Sequence, residues 1–150
     1  IVKEAWGHGL IAHGSDLVDR GFGTPAITID FVTYGEVRSQ NIVTNPPFDI
    51  AKEFTFRALQ SATRKVAIIF PVARLNAAHH WLEGTPLKTI WLMTPRPSMP
   101  PGDVIARGEK PGGGKTDYCW LVWEQGYKGN AEIRWLHRDA QSATQLPSSR

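Results

Sequence analysis

The chain has 150 residues, of which 41% are hydrophobic and 21% are charged, and its formal net charge is +3. These values are ordinary for a globular protein, so they exclude a disordered chain and predict one domain with a continuous core. The mild basic excess permits an anionic partner, although strong nucleic-acid binders usually show clearer basic patches.

Cysteine content and hydropathy bear on the compartment. Cys119 is the only cysteine, which excludes an internal disulfide framework and favours a reducing, cytoplasmic location. No apolar stretch reaches the length of a membrane span, and no signal-peptide pattern opens the chain. Because the first residue is not Met, we expect a chain whose start is incomplete.

The beginning of the chain predicts one helix and two strands. Residues 1–6 place apolar side chains on one helical face. Residues 10–16 and 27–32 are short apolar runs, and each carries an acid near its carboxyl end, Asp16 and Asp30 respectively.

A four-residue motif separates a predicted strand from a predicted helix: Asn45, Pro46, Pro47 and Phe48. The two prolines stop the strand over residues 41–44 because each fixes φ and lacks an N–H. Asp49 is a suitable N-cap for a helix over residues 49–63 with one apolar face. The motif therefore follows a strand, where open α/β sheets bind ligands. An ordinary turn is the competing interpretation, since Asn and Pro are common turn residues.

The rest of the chain continues this alternation. Strands are predicted over residues 65–70, 89–93, 118–123 and 132–136, and a helix over residues 74–83. Residues 94–116 form a long loop rich in Pro and Gly, and residues 141–150 form a polar tail. The pattern predicts an α/β fold whose sheet is mostly parallel with an antiparallel edge strand.

Several motif-like patterns lack the context that their chemistry needs. Residues 114–116 (Gly-Lys-Thr) precede a strand rather than a helix, and Glu109 occupies the first glycine position of a Walker loop. Residues 21–26 fit a loose G-x-G-x-x-A pattern but also lead into a strand. The five histidines lack partners at ligand spacing, so no metal is expected. Cys119 lies in an apolar strand, which favours a core role over a nucleophile.

The chain resembles the class I S-adenosylmethionine-dependent methyltransferases that act on amino groups, in particular the DNA adenine-N6 type. Their catalytic motif is Asp/Asn-Pro-Pro-Phe/Tyr/Trp, which residues 45–48 match at all four positions between a strand and a helix. The likeness extends over residues 10–136 by order of elements. It implies a Rossmann-like three-layer sandwich, S-adenosylmethionine as cofactor, and methyl transfer to N6 of an adenine in DNA.

The resemblance also implies roles for the motif. The Asn45 side-chain oxygen and the Pro46 carbonyl would accept the two N–H bonds of the adenine amino group, so that its lone pair points at the methyl group. Positioning and electrostatics would then supply most of the catalysis. Pro47 would stiffen the segment, and Phe48 would stack on a base taken out of the duplex.

Cofactor contacts follow from the same resemblance. Asp16 would accept hydrogen bonds from the ribose hydroxyls and Asp30 from the cofactor's adenine amino group, with Phe31 packing on that ring. The alternatives are a surface acid in a turn for Asp16, with Asp19 as a competing candidate, and a core position for Phe31. The family's first strand and Gly-rich cofactor loop should precede the first helix, so we expect the sheet to lack its first strand.

The long loop carries four cations that would follow DNA phosphates: Arg96, Arg107, Lys110 and Lys115. A solvated connection is the alternative. Two other functions stay open. One is glutamine-N5 methylation of a protein, whose enzymes use a similar motif but favour Tyr at the position of Phe48. The other is a non-catalytic methyltransferase-like remnant.

Overall fold

A computed structural model of the chain describes residues 1–19, 27–99, 107–108 and 114–137. In chain order its elements are α1 (Val2–Gly7), β1 (Ser15–Asp16), β2 (Ile27–Thr28), β3 (Ser39–Thr44), α2 (Ala51–Ser61), β4 (Ala62–Pro71), α3 (Leu75–Leu82), β5 (Leu87–Thr94), β6 (Tyr118–Glu124) and β7 (Glu132–His137). Short 3-10 helices, Phe48–Ile50 and Val72–Arg74, precede α2 and α3. None of the helices in these ranges is long and apolar enough to cross a membrane.

The main sheet has five strands in the order β3-β4-β6-β5-β7. Strand β3 is parallel to β4 and β5 is parallel to β7, whereas β6 is antiparallel to both of its neighbours. The prediction of a mostly parallel sheet with an antiparallel edge strand is therefore wrong. The sheet is mixed, and its antiparallel strand is internal. A central place suits β6, because its residues Cys119, Leu121 and Trp123 are each 0% exposed, whereas the edge strands β3 and β7 contain no buried residue.

One apolar cluster fills the space between this sheet and the helices α2 and α3. Val66, Ile68 and Phe70 alternate along β4 and point into the cluster, and their partners on β6 point the same way. The helices contribute mainly small or aromatic side chains: Ala51, Ala58, Ala78 and Trp81. Helices α2 and α3 thus cover the same face of the sheet, and the three-layer arrangement stays a prediction.

The first two strands are shorter than the runs that predicted them. Strands β1 and β2 have two residues each and pair in parallel only over Ser15 and Asp16 against Ile27 and Thr28. They form a separate two-stranded sheet rather than a continuation of the main one. Ile11 is 94% exposed, so the apolar run before Asp16 does not enter the core.

The single cysteine is a core residue, as predicted. Its thiol donates a hydrogen bond to the Phe70 carbonyl (Sγ to O, 3.4 Å). Burial raises the pKa of the Cys119 thiol to about 12, since the charged thiolate is disfavoured away from water. At neutral pH the side chain therefore behaves as a small apolar group.

The core assignment predicts a contrast between two isoleucines in different strands. Ile68 is 0% exposed in β4, whereas Ile133 is 60% exposed in the edge strand β7. Ile68→Ala should lower the free energy of unfolding by about 2–5 kcal/mol, because it leaves a cavity, whereas Ile133→Ala should change it by no more than about 0.5 kcal/mol. Urea denaturation of the two variants measures this difference. Equal losses would contradict the described core.

Candidate functional site

The Asn-Pro-Pro-Phe motif begins directly after β3, whose last residue Thr44 pairs with Ile68 of β4. Asn45 is exposed, Pro46 is buried and Phe48 is half-buried. The buried proline anchors the segment against the sheet, because its ring is rigid and its backbone has no N–H to satisfy. As a result, the Asn45 side chain stands in solvent at the carboxyl end of two adjacent parallel strands.

Three neighbours from different elements hold the Phe48 ring. Its centroid lies 6.4 Å from that of Phe70 in an edge-to-face arrangement and 5.9 Å from that of Tyr118 in a tilted one. The Arg74 guanidinium carbon lies 6.0 Å from the same centroid. Such aromatic and cation–π contacts favour defined ring positions. Phe48 is therefore fixed by β4, by β6 and by the 3-10 helix before α3.

Asp49 joins this arrangement instead of capping α2. The N-cap of α2 is Ile50, without a side-chain hydrogen bond, so the predicted cap is wrong. Asp49 lies inside the 3-10 helix, and its carboxylate accepts a hydrogen bond from Arg74 (Nη1 to Oδ1, 3.1 Å). Both side chains are largely exposed, so this ion pair contributes little to stability.

A cleft of about 330 Å³ opens beside Phe48, between β4 and the beginnings of α2 and α3. Aromatic and small apolar side chains form its walls, namely Phe48, Phe70, Trp81, Ala51, Ala77 and Ala78. Three charged side chains also reach it, namely Asp49, Lys52 and Arg74. Phe70 and Trp81 meet edge to face with centroids 6.0 Å apart. This combination of apolar walls and a few polar groups is typical of small-ligand sites.

The two acids predicted to contact the cofactor lie together, at the carboxyl ends of β1 and β2. The Ile29 N–H donates to the Asp16 carbonyl (2.9 Å). Each carboxylate also accepts a hydrogen bond from its own turn, Asp16 from Val18 N–H (3.3 Å) and Asp30 from Val32 N–H (3.0 Å). Both acids are exposed, and an ionised carboxylate can accept about four hydrogen bonds.

The pKa of Asp30 is lowered below its ordinary value of 3.8, mainly because the Thr33 hydroxyl donates to the carboxylate and secondly because the Val32 N–H does. Hydrogen bonds to the charged form favour that form. Asp30 is therefore an anionic acceptor throughout the neutral range.

Phe31 lies on the core side of its segment. Its ring stacks on Phe54 of α2, with centroids 5.4 Å apart and an interplanar angle of 25°. One turn further along α2, the Arg57 guanidinium donates to the Tyr34 and Gly35 carbonyls. The segment after Asp30 is therefore docked on the helix that follows the motif.

Of the four loop cations, Arg96 has a defined anionic partner. Its guanidinium binds the Asp117 carboxylate with two bonds, Nε to Oδ1 at 2.5 Å and Nη2 to Oδ2 at 3.0 Å. This contact raises the pKa of Arg96 and joins the two ends of the long loop. Arg107 and Lys115 are exposed, and Lys110 lies outside the described residues. Phosphate contact by this loop stays a prediction.

Sequence reasoning missed three side chains that the structure places around the motif: Arg74, Trp81 and Tyr118. Tyr118 is the first residue of β6 and pairs with Pro71, so strand pairing alone brings it to Phe48. No local pattern marks such a contact, since it depends on the register of two distant strands. Within the described ranges, no group of His, Cys, Asp and Glu is arranged to hold a metal ion.

Comparison with solved structures shows a weak likeness to a known protein. The chain is similar to the crystal structure of a predicted O-methyltransferase from Agrobacterium tumefaciens, with a TM-score of 0.42 and 14% sequence identity over 73% of this chain. The match spans 49% of that protein, about half of its length. No protein-family model and no curated protein matches the chain.

The turn around Asp30 predicts a measurable titration. Its carboxylate contributes to stability above pH 3.8, and this contribution is lost as the pH falls through the lower folded-state pKa. Carbon-13 NMR should give a midpoint below 3.8, and Thr33→Val should raise that midpoint because it removes the donated hydrogen bond. The exposed Thr63 in β4 provides a control, since Thr63→Val should leave the midpoint unchanged. A wild-type midpoint at or above 3.8 would contradict the described turn.

Proposed function

We propose that the chain is the motif-bearing part of an S-adenosylmethionine-dependent methyltransferase that modifies the N6 amino group of adenine in DNA. The observation that carries this proposal is the Asn-Pro-Pro-Phe motif after a parallel strand, with Asn45 exposed, Pro46 buried and Phe48 held by Phe70 and Tyr118. These features support a rigid acceptor of hydrogen bonds beside a fixed aromatic face.

The chemistry of an exocyclic amino group explains why such an arrangement suits the reaction. The adenine amino nitrogen is a poor nucleophile because its lone pair is delocalised into the ring. Two oxygen acceptors, from the Asn45 side chain and the Pro46 backbone, would hold its N–H bonds and favour a pyramidal nitrogen. The lone pair is then free for an in-line displacement without a covalent enzyme intermediate.

Three residues near the two-stranded sheet would hold the cofactor. Asp16 and Asp30 are exposed carboxylates, which suit hydroxyl and amino donors, and the Phe31 ring, half-buried and stacked on Phe54, follows Asp30 directly in the chain. When bound, S-adenosylmethionine supplies the sulfonium methyl group. The anionic state of Asp30 supports its role, because an ionised carboxylate is the stronger acceptor.

A nucleic acid substrate fits the surroundings of the motif better than a protein glutamine. Phe48 and Tyr118 are half-buried aromatic rings against which a base can stack, and the buried Phe70 supports Phe48 from the core, whereas a flat side-chain amide needs no such surface. Lys52 and Arg74 add two cations nearby. Phe48 itself replaces the Tyr that glutamine-modifying enzymes favour.

Asn45 provides the direct test of this proposal. In the full-length protein, Asn45→Ala should lower the rate of DNA methylation about 100-fold or more, because the amino group loses a positioned acceptor, whereas cofactor binding should persist. Asn45→Asp retains an oxygen acceptor and should retain more activity than the Ala variant. Quantitative mass spectrometry of N6-methyladenine gives the rate, and calorimetry gives cofactor affinity.

The exposed Asn130, in the connection before β7 at the opposite end of the sheet, provides the matched control, since Asn130→Ala should leave methylation unchanged. Survival of methylation in the Asn45→Ala variant would refute the assigned role. Methylated protein glutamine without methylated DNA would favour a protein glutamine-N5 methyltransferase. Failure to bind the cofactor would favour a non-catalytic remnant.

A further inference from the structure

The cleft beside Phe48 extends beyond the acceptor oxygens on which the proposed methyl transfer depends. Its walls are the rings of Phe48, Phe70 and Trp81, and Asn45 and Pro46 do not line it. It therefore adjoins the acceptor oxygens without containing them. A substrate seated at Asn45 can extend into it.

The charges that reach the cleft are two cations and one anion. Lys52 comes from the first turn of α2 and Arg74 from the 3-10 helix before α3, and both are exposed. Asp49 is bound to Arg74 through one guanidinium nitrogen, Nη1. A guanidinium has five N–H donors in a planar fork, so most of the Arg74 donors remain for another anion.

We propose that this cleft binds the DNA nucleotide next to the target adenine, with its phosphate held by Lys52 and Arg74. Its base would lie against the half-buried Phe48, with the buried Phe70 and Trp81 packed beneath, since base–aromatic stacking tolerates any base. The inference rests on the proposed function, because only a nucleic acid seated at the motif presents a neighbouring phosphate there. Lys52 and Arg74, on the helix side of the motif, would then make the principal phosphate contact instead of the long loop, where Arg96 is paired with Asp117.

Asp49 makes the proposal specific, because its carboxylate competes with the phosphate for Arg74. Removing either cation should weaken DNA binding, whereas Asp49→Asn should strengthen it. A purely structural role of the Asp49–Arg74 pair predicts weaker binding in Asp49→Asn as well, since breaking the pair would loosen Phe48 whichever partner is changed.

The experiment measures binding of a short fluorescein-labelled DNA duplex with one mismatched adenine, by fluorescence anisotropy over a range of salt concentrations. Each neutralised phosphate contributes about 0.9 to the slope of log affinity against log salt. Because both cations hold one phosphate, the double variant Lys52→Gln/Arg74→Gln should lower that slope by about 0.9, and each single change should lower it in part and weaken binding several-fold at low salt. Arg74→Lys should restore most of the slope, because it retains the charge.

Lys128 provides the matched control. It is an exposed lysine in the turn after β6, at the opposite end of the sheet, so Lys128→Gln should leave affinity and slope unchanged. Thermal melting of each variant confirms that it is folded. Unchanged binding in the folded double variant Lys52→Gln/Arg74→Gln, or weakened binding in Asp49→Asn, would overturn the proposal.

The experiments distinguish an error in the phosphate-binding proposal from an error in the proposed reaction. If wild-type protein methylates adenine but the double variant binds DNA with an unchanged slope, the cleft assignment falls and the reaction stands. If the slope responds as expected but no adenine is methylated, the proposed reaction is refuted, and the cleft is still supported as a site for nucleotide phosphate.

Discussion

Strand β4 pairs with β3 on one side and with β6 on the other, and the candidate site depends on this double pairing. The parallel pairing with β3 places the Asn-Pro-Pro-Phe motif at the end of the sheet where Phe70 lies, and the antiparallel pairing with β6 brings Tyr118 to the same end. Both pairings are fixed by burial, because a shift of one residue would turn Val66 and Ile68 out of the core. The packing that stabilises the fold therefore also positions Phe48.

The strands and helices with clear apolar periodicity were predictable from the sequence, and so was the core role of Cys119. Strands β3 to β7 and helices α2 and α3 lie close to their predicted ranges. In β4, β5, β6 and both helices the apolar periodicity follows burial against the core, whereas the residues of β7 are all exposed. Short elements were less predictable. Asp16 is the last residue of a two-residue strand, and Asp30 follows another. The turns at both acids are set by local side-chain hydrogen bonds rather than by periodicity.

Strand order and the ion pairs around the motif were not predictable, since they depend on contacts between distant parts of the chain. Nothing in the apolar run of β6 reveals that it inserts between β4 and β5 rather than at an edge. Similarly, Asp is a common N-cap residue, but the Asp49 carboxylate pairs with Arg74 instead of capping α2. The position of β6 in the sheet and the partner of Asp49 are both decided by tertiary contacts, which the local sequence does not reveal.

If residues 45–48 direct a methyl group to an adenine amino nitrogen, a labelled methyl group should be found there after the reaction. The full-length protein is incubated with S-adenosylmethionine carrying an isotopic label on the methyl group, together with DNA that lacks N6-methyladenine. Digestion and mass spectrometry then locate the label. The label should appear in N6-methyladenine, and its appearance only in protein, or in no product, would exclude methyl transfer to adenine.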